Sequence, residues 1–486
     1  MMKKPYIHLF KTPNNYYFFD VNKSEFTPIS EDSFSFLSDL TRSSEDTCFE
    51  KPIPAELSVL KEEGYLAADS VVEKISHPYS KDMHLLLSRK LSGLTLQLTQ
   101  DCNLRCRYCT YTRNDGTRQR QHTNEAMDWE TAKKAIDFLW ERSVDSESIS
   151  IGFYGGEPLL EFTLLKEVVY YSLERFSGKK VIFNMTTNGT LLNDEMIMFL
   201  EEHDASMMIS LDGPKEINDQ NRVFECGTGT FDAVVRNIKR VTEIAPKLTE
   251  KLQIGIVINP ENDFDIINSV FSSGSELNGI TVTPTLVEYD YEDVDFSYCE
   301  EYSAKMEYQF FLAILAQYGR FSAEKVSPIA DVFLSMTIND CNTIEKAPEL
   351  FVEDTPSGAC IPGIMRLFVD IHGNLFPCER VSETSPVMKM GTLDKGFCLE
   401  KTDKILNSGA ITMDSCLKCW CFRFCNLCVK RADDGKKLCA KTRLSYCKET
   451  QAFVHLTSTY YLLFKEIPIH YAVQTRIKQK GDNIIL

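Results

Sequence analysis

The chain has 486 residues, 43% of them hydrophobic and 25% charged, and carries a formal net charge of −17. That length accommodates about three domains, and no uninterrupted apolar run approaches what a bilayer span requires. Residues 1–10 lack the apolar core of a secretory signal, so a cytoplasmic protein with no membrane attachment is expected, and the charge bears on solubility and basic partners rather than on fold.

Residues 1–88 read as a first module. Runs 6–10, 16–20 and 26–29 are short and strand-like, joined by Pro13, Asn14, Asn15 and by Asn22, Lys23, Ser24, which are turn formers. Helix-like stretches follow at 33–40 and 54–64. Three strands with helices suit a winged-helix-like domain, which could bind DNA. DNA binding wants a basic face, and here scattered Lys and Arg are outnumbered by acidic side chains with no basic cluster. Nucleic acid is not expected as a partner.

Past the apolar run 94–98 stand Cys102, Cys106 and Cys109, a CxxxCxxC triplet with Tyr108 before the last cysteine. Three thiolates at this spacing can hold three irons of a cubane cluster. The fourth iron is then open to a small molecule that accepts an electron. A zinc knuckle would need a fourth ligand close by, and the next candidates are His122, on a polar stretch, and Cys226. The polar stretch 112–124, with Arg113, Arg118 and Arg120, reads as a mobile loop beside the cysteines.

A second signature, Tyr154, Gly155, Gly156, Glu157, Pro158, follows the strand-like run 149–153. Its glycines allow close backbone approach to a ligand, although an ordinary strand-to-helix turn uses the same residues. Strand-like runs at 94–98, 149–153, 181–185, 206–211, 252–258 and 280–286 alternate with helical segments. One of these, 230–243, places Phe231, Val234, Val235, Ile238 and Val241 on one stripe. Six β/α units in series imply an α/β fold with a parallel sheet. Such folds bind ligands beyond the carboxyl ends of their strands, where the cysteine loop, Gly155 to Glu157, residues 186–189 and Ser210, Asp212, Gly213 all fall.

The cysteine triplet, the GGE turn and the element order together resemble the radical S-adenosylmethionine enzymes. The resemblance implies a partial (β/α)6 barrel, here residues 89–320, with the cluster loop after the first strand. It implies a [4Fe-4S] cluster on Cys102, Cys106 and Cys109 whose open iron chelates S-adenosylmethionine. Reductive cleavage of that cofactor yields a 5'-deoxyadenosyl radical that abstracts hydrogen from substrate. Gly155, Gly156 and Glu157 would meet the methionine amino group, Ser210 would hydrogen-bond the cofactor, and Tyr108 would lie beside its adenine. The rival reading of a Ser or Asp at a strand end is a helix cap or turn former.

Ten of the seventeen cysteines lie from Cys360 onward. An odd total in clustered spacing argues for metal over disulfides. Cys360, then Gly373 with Cys378 five residues on, then CxxCx5CxxC from Cys416 to Cys428, then Cys447, resemble the SPASM domain, which carries two auxiliary [4Fe-4S] clusters. That places it in 321–455, with a bridging region, followed by a C-terminal segment 456–486. Carried over, Cys416, Cys419, Cys425 and Cys447 match the outer cluster, with Cys439 as the rival to Cys447. Cys360, Cys378 and Cys428 match three ligands of the inner one. Two residues precede Cys428 where three are usual, and the fourth inner cysteine is missing from 353–358. Either Cys341 loops back or the inner cluster keeps an open iron, which could fix a substrate thiolate. Cys341 is otherwise expected to pack as a small hydrophobe, as are Cys48, Cys226, Cys299, Cys398, Cys421 and Cys439.

Residues 1–88 resemble the winged-helix recognition domain of peptide-modifying radical enzymes, which captures a leader peptide as an added strand. The whole resembles the maturases that form sulfur-to-carbon thioethers in ribosomally made Cys-rich precursor peptides. That implies three [4Fe-4S] clusters, S-adenosylmethionine, a precursor peptide with leader and an external electron donor of ferredoxin or flavodoxin type. An auxiliary cluster would accept the surplus electron. Glu379 stands where related sulfatase-maturing enzymes carry an acidic proton acceptor, and its rival role is pairing with Arg380. A formylglycine-forming sulfatase maturase, a carbon-carbon crosslinking maturase and a zinc-stabilised scaffold are the alternatives.

Overall fold

The computed structural model describes residues 3–42, 51–111, 122–272, 274–275, 277–287, 300–356 and 360–468. Cys48, Cys299 and the arginine-bearing stretch 112–121 lie outside the described residues.

The N-terminal module is a three-stranded antiparallel sheet, β1 (Ile7–Lys11), β2 (Tyr16–Asp20) and β3 (Glu25–Ile29), followed by α1 (Glu31–Arg42) and α2 (Ala55–Glu62). Strand alternation sends Ile7, Phe18 and Ile29 to one face, against Phe36, Leu37 and Leu40 of α1 and Leu57 of α2. Tyr6, Phe10 and Phe19 go to the other face and pack with Phe422, Tyr461 and Leu462 from the far end of the chain. Both faces of this small sheet are thus covered, one by its own helices and one by the C-terminal region.

After β4 (Lys74–Ile75) and α3 (Met83–Arg89), six parallel strands alternate with helices. They are β5 (Gly93–Thr99), α4 (Trp129–Arg142), β6 (Ser148–Gly155), α5 (Phe162–Arg175), β7 (Lys180–Thr187), α6 (Asp194–Glu202), β8 (Ser206–Ser210), α7 (Lys215–Asn221), α8 (Phe231–Ile244), α9 (Pro246–Glu250), β9 (Leu252–Ile258), α10 (Phe264–Ser269) and β10 (Thr281–Leu286). Helix starts are marked by short polar side chains: Asp128 accepts from the Thr131 amide at α4 and Asn193 from the Met196 amide at α6. Alternate residues Leu94, Leu96, Leu98, Ile149, Ile151, Phe153, Met207, Ile209, Ile254 and Ile256 join helix residues such as Ala132, Ile136, Leu139, Val235 and Ile238 in one core. The opposite face of the same strands is polar and small. There Asn184 donates to Ser150 Oγ at 2.9 Å, Thr283 donates to Gln253 Oε1 at 3.1 Å, and a Cβ at Gly152 would stand 2.8 Å from Asn184 Oδ1.

The C-terminal half contains α11 (Glu300–Gln317), α12 (Pro328–Glu345), β11 (Glu353–Asp354), β12 (Leu367–Val369), β13 (Asn374–Phe376), β14 (Gly391–Thr392), β15 (Gly396–Phe397), α13 (Leu399–Leu406), α14 (Met413–Cys416), α15 (Ala440–Ser445) and α16 (Cys447–Glu466). Strand β12 pairs in parallel with β5, Leu367 opposite Leu94, and β13 to β15 continue antiparallel, so one ten-stranded sheet runs through barrel and cysteine-rich region. Gly93 is required at this seam, because a Cβ would overlap the Met365 carbonyl oxygen at 1.7 Å. This is an α/β fold with a mixed sheet whose β5–β10 part is the expected parallel β/α series. Among the described residues no helix is long and apolar enough to cross a membrane.

Candidate functional site

The loop after β5 carries Cys102, Cys106 and Cys109 and is held from two sides. Its far flank bonds to the end of α7 and the residues just after it: the Arg105 amide donates to Val223 O at 2.8 Å and the Arg107 amide to Asn221 O at 3.0 Å. Its near flank packs on the turn after β6, where Gly156 N donates to Thr99 O and Glu157 N to Asp101 O. That contact is why two glycines stand there. A Cβ on Gly155, at φ 136°, would lie 2.2 Å from Thr99 O, and one on Gly156 would lie 1.9 Å from Asp101 O. The buried Glu157 carboxylate accepts from the Leu159 amide (3.0 Å), the Thr187 hydroxyl (2.7 Å) and the Asn188 amide (2.7 Å). Desolvation still pushes this carboxyl up. With three donors already taken, Glu157 would meet a ligand through its backbone.

Beneath the loop, Tyr108 donates to Asp212 Oδ2 at 2.5 Å, and Asp212 also accepts from Arg222 Nε at 3.0 Å and the Val257 amide at 3.2 Å. Arg222 and Asp212 are both buried, and the guanidinium lies over the Tyr108 ring, 5.5 Å from its centroid, and beside Cys106. Cys102 and Cys106 are pushed up to about 12, chiefly by burial, with added repulsion from Cys109. Three thiols within one another's field, Cys106 buried and the other two half-buried, suit a group that displaces their protons on binding. The donor set therefore fits a three-thiolate cluster. Asn188 Nδ2 stands 3.8 Å from the Cys102 sulfur. Ser210, at the end of β8, has a hydroxyl with no hydrogen-bond partner among the described residues.

Cys360, Cys378 and Cys428 also come together: burial raises the Cys428 thiol, and the other two raise it further. Cys378 and Tyr154, the residue before Gly155, border the same apolar cluster of Phe368, Phe376, Val381 and Met388. Arg366 lies beside Cys378, Cys360 and Tyr154 and holds the Oε1 of buried Glu379. The expected partner Arg380 is farther, at 4.0 Å. Glu379 Oε2 is buried with no hydrogen-bond partner among the described residues. Cys341 is elsewhere, buried in α12 among the aromatics under the N-terminal sheet, with Thr457 O 3.8 Å from its sulfur.

The third group lines a cavity of about 130 Å³: Cys416, Cys419, Cys425 and Cys447, together with Cys421, Leu427 and Arg443. Gln451 Nε2 lies 3.2 Å from the Cys419 sulfur and the Thr412 hydroxyl 3.3 Å from that of Cys416. Arg443 is 3% exposed, and its Nη1 has no hydrogen-bond partner among the described residues. A buried cation facing cysteines fits an anionic thiolate-ligated cluster there. Cys439 is not among the lining residues and bonds to Thr442. Cys421 is, contrary to its expected role as a packing thiol outside any site. Among the described residues no three His, Cys, Asp or Glu side chains close on a single metal ion.

Residues 96–271 match the sequence profile of the Radical SAM superfamily, and the chain carries a radical SAM domain over that span. Such a domain implies a [4Fe-4S] cluster and S-adenosylmethionine. The uncharacterized protein MJ0907 of Methanocaldococcus jannaschii is 40% identical over 137 residues, 28% of this chain and 44% of that protein. The cysteine-type anaerobic sulfatase-maturating enzyme of Clostridium perfringens is 24% identical over 380 residues, 75% of this chain and 95% of its own length. This chain thus spans less than half of the first and nearly all of the second. Solved structures show the same fold: anSMEcpe with bound AdoMet superposes at a TM-score of 0.58 and 20% identity, covering 81% of this chain and 99% of that one. The same enzyme with AdoMet and a Cp18Cys peptide superposes at 0.52 and 21% identity, covering 75% and 98%.

Proposed function

We propose that this protein is a radical peptide maturase that installs sulfur-to-carbon thioether crosslinks in a Cys-rich precursor peptide. The observation that carries the reading is the inner group of three cysteines, which shares an apolar cluster with Tyr154 of β6, with a buried carboxylate oxygen beside it that has no hydrogen-bond partner among the described residues. When bound, the cluster and S-adenosylmethionine at Cys102, Cys106 and Cys109 supply a hydrogen-abstracting radical, and clusters at the two C-terminal cysteine groups supply a thiolate anchor and an electron acceptor.

The chain's own residues do the rest. Gly155 and Gly156 let the turn and the cysteine loop share one wall. Glu379, held through Oε1 by Arg366, presents Oε2 to take the proton of a substrate thiol. Each crosslink then breaks one C–H and one S–H bond and forms one C–S bond. The hydrogen atom leaves with the radical, the proton with Glu379, and one electron with the acceptor. Leader capture falls to the N-terminal sheet. Its β3 edge borders a crevice of about 450 Å³ shared with α12 and α16, where Phe26 and Pro28 face Ile344, Tyr461 and Lys465. Pro28 has no amide hydrogen, so an added strand would pair along the rest of β3. The electron needed to start each turnover would come from a ferredoxin- or flavodoxin-type donor.

Co-expression with a short Cys-rich peptide tests this: a peptide lighter by two hydrogens per bond is the expected product, and an unchanged mass contradicts it. The long alignment with the sulfatase-maturating enzyme favours a second reading, oxidation of a protein cysteine to formylglycine. An aldehyde trapped by a hydrazine on the product would decide for that alternative.

A further inference from the structure

The outer cysteine cavity contains more than a cubane needs. Four irons take four thiolates, yet Cys416, Cys419, Cys421, Cys425 and Cys447 all line it. Cys421 is the deepest of them, 1% exposed, and lines the same cavity wall as Cys419 and Cys425. It sits in the tight turn where Phe422 N donates to Cys419 O and Phe424 N to Cys421 O, each at 3.0 Å. The second surplus group is Arg443. Nearby Arg423, equally buried, has a carboxylate, Asp354 Oδ2 at 2.7 Å. Arg443 has no ion pair among the described residues, and its Nη1 has no acceptor. A buried guanidinium with no counter-charge is strongly unfavourable, and the groups its cavity offers are thiols.

Building on the proposed outer cluster, the geometry points to a redox-tuning shell around it: Arg443 is the counter-ion of the cluster, and Cys421 is a non-ligand thiol that donates its one S–H to a coordinating sulfur, that of Cys419 or Cys425. Both act in the same direction. Reduction adds one negative charge to the cluster, a neighbouring cation and hydrogen bonds to its sulfurs stabilise that charge, and the potential rises. Gln451 on Cys419 and Thr412 on Cys416 supplement them. The cavity is thereby built to receive an electron, and both groups are positioning residues for that role.

The experiment is an anaerobic redox titration of the reconstituted full-length protein, followed by electron paramagnetic resonance and paired with iron analysis. Arg443→Gln and Cys421→Ala are each expected to keep the full iron content and to move the outer signal to more negative potential. Arg443→Lys, which keeps the charge, and Cys421→Ser, which keeps a donor, are expected to restore most of the shift. If Arg443→Gln fails to load iron while Arg443→Lys loads, the counter-ion role stands. Loss of loading in both, or unchanged potentials in Arg443→Gln and Cys421→Ala, would overturn the inference. So would loss of one cluster's iron in Cys421→Ala with retention in Cys447→Ala, because Cys421 would then be a ligand. Absence of any outer signal in the unaltered protein would count against the proposed outer cluster itself.

Discussion

The cysteine loop of the barrel and the outer cysteine cavity handle a buried arginine in opposite ways. Beside Cys106, Arg222 already has its counter-charge, Asp212, which also accepts from Tyr108. In the outer cavity Arg443 has none among the described residues. The first arginine is scaffold: it fixes the position of the loop whether or not anything is bound. The second is complete only when something anionic arrives. A frame that stays rigid suits a site that must open to a cofactor and close again, whereas an unspent charge suits a site that holds one resident group.

The sharpest way to separate the two regions is Gly156→Ala. Its Cβ would lie 1.9 Å from Asp101 O, so the loop bearing Cys102 must move. S-adenosylmethionine cleavage should be abolished and one cluster's worth of iron lost, with the outer cavity still loaded, as iron analysis and paramagnetic resonance would show. Loss of outer-cavity iron as well would mean the regions are not independent. Asp212→Asn comes next. It leaves Arg222 buried beside a neutral amide, which should cost roughly 3–5 kcal/mol by analogy with other broken buried pairs. A fall in melting temperature should report it, and an unchanged transition would show that Arg222 is not a scaffold charge.

The smallest effect concerns how the N-terminal sheet reaches the outer cavity. Tyr6 donates to Cys419 O at 2.8 Å, and His8 stacks on Trp420 with ring centroids 3.7 Å apart and lies 3.0 Å from the ring of His455. Burial, and then His455, lower His8 from 6.5 to about 4. A histidine held neutral contributes its full share of stability above about pH 6.5 and loses it as the pH falls toward 4. The loss is at most roughly 3 kcal/mol. Tryptophan fluorescence should show the sheet loosening from the C-terminal region across that window, and His8→Phe should flatten the change.

The triplet at Cys102, Cys106 and Cys109, the GGE turn and the β/α order were readable because each is a local pattern. Even the polar inner wall was present in the alternation Leu94, Thr95, Leu96, Gln97, Leu98, where leucines face helices and the polar residues face inward. What could not be read depends on distant chain segments meeting. Arg366 is thirteen residues from Glu379 yet is its partner in place of the adjacent Arg380. Arg443 carries no local mark distinguishing it from any helical surface arginine. Cys421 looked superfluous beside a complete ligand spacing, and only the fold around Cys419 and Cys425 brings it inside. Both faces of the N-terminal sheet are apolar because a second domain covers one of them. In the sequence this showed only as aromatic density in strands of a small module.

The most direct test of the chemistry is anaerobic: reconstitute the protein with iron and sulfide, add S-adenosylmethionine and dithionite, and assay for 5'-deoxyadenosine. Its formation is expected from the unaltered protein and its loss from Cys106→Ala. No deoxyadenosine from fully loaded, reduced protein would contradict the assignment of Cys102, Cys106 and Cys109 as the reactive centre.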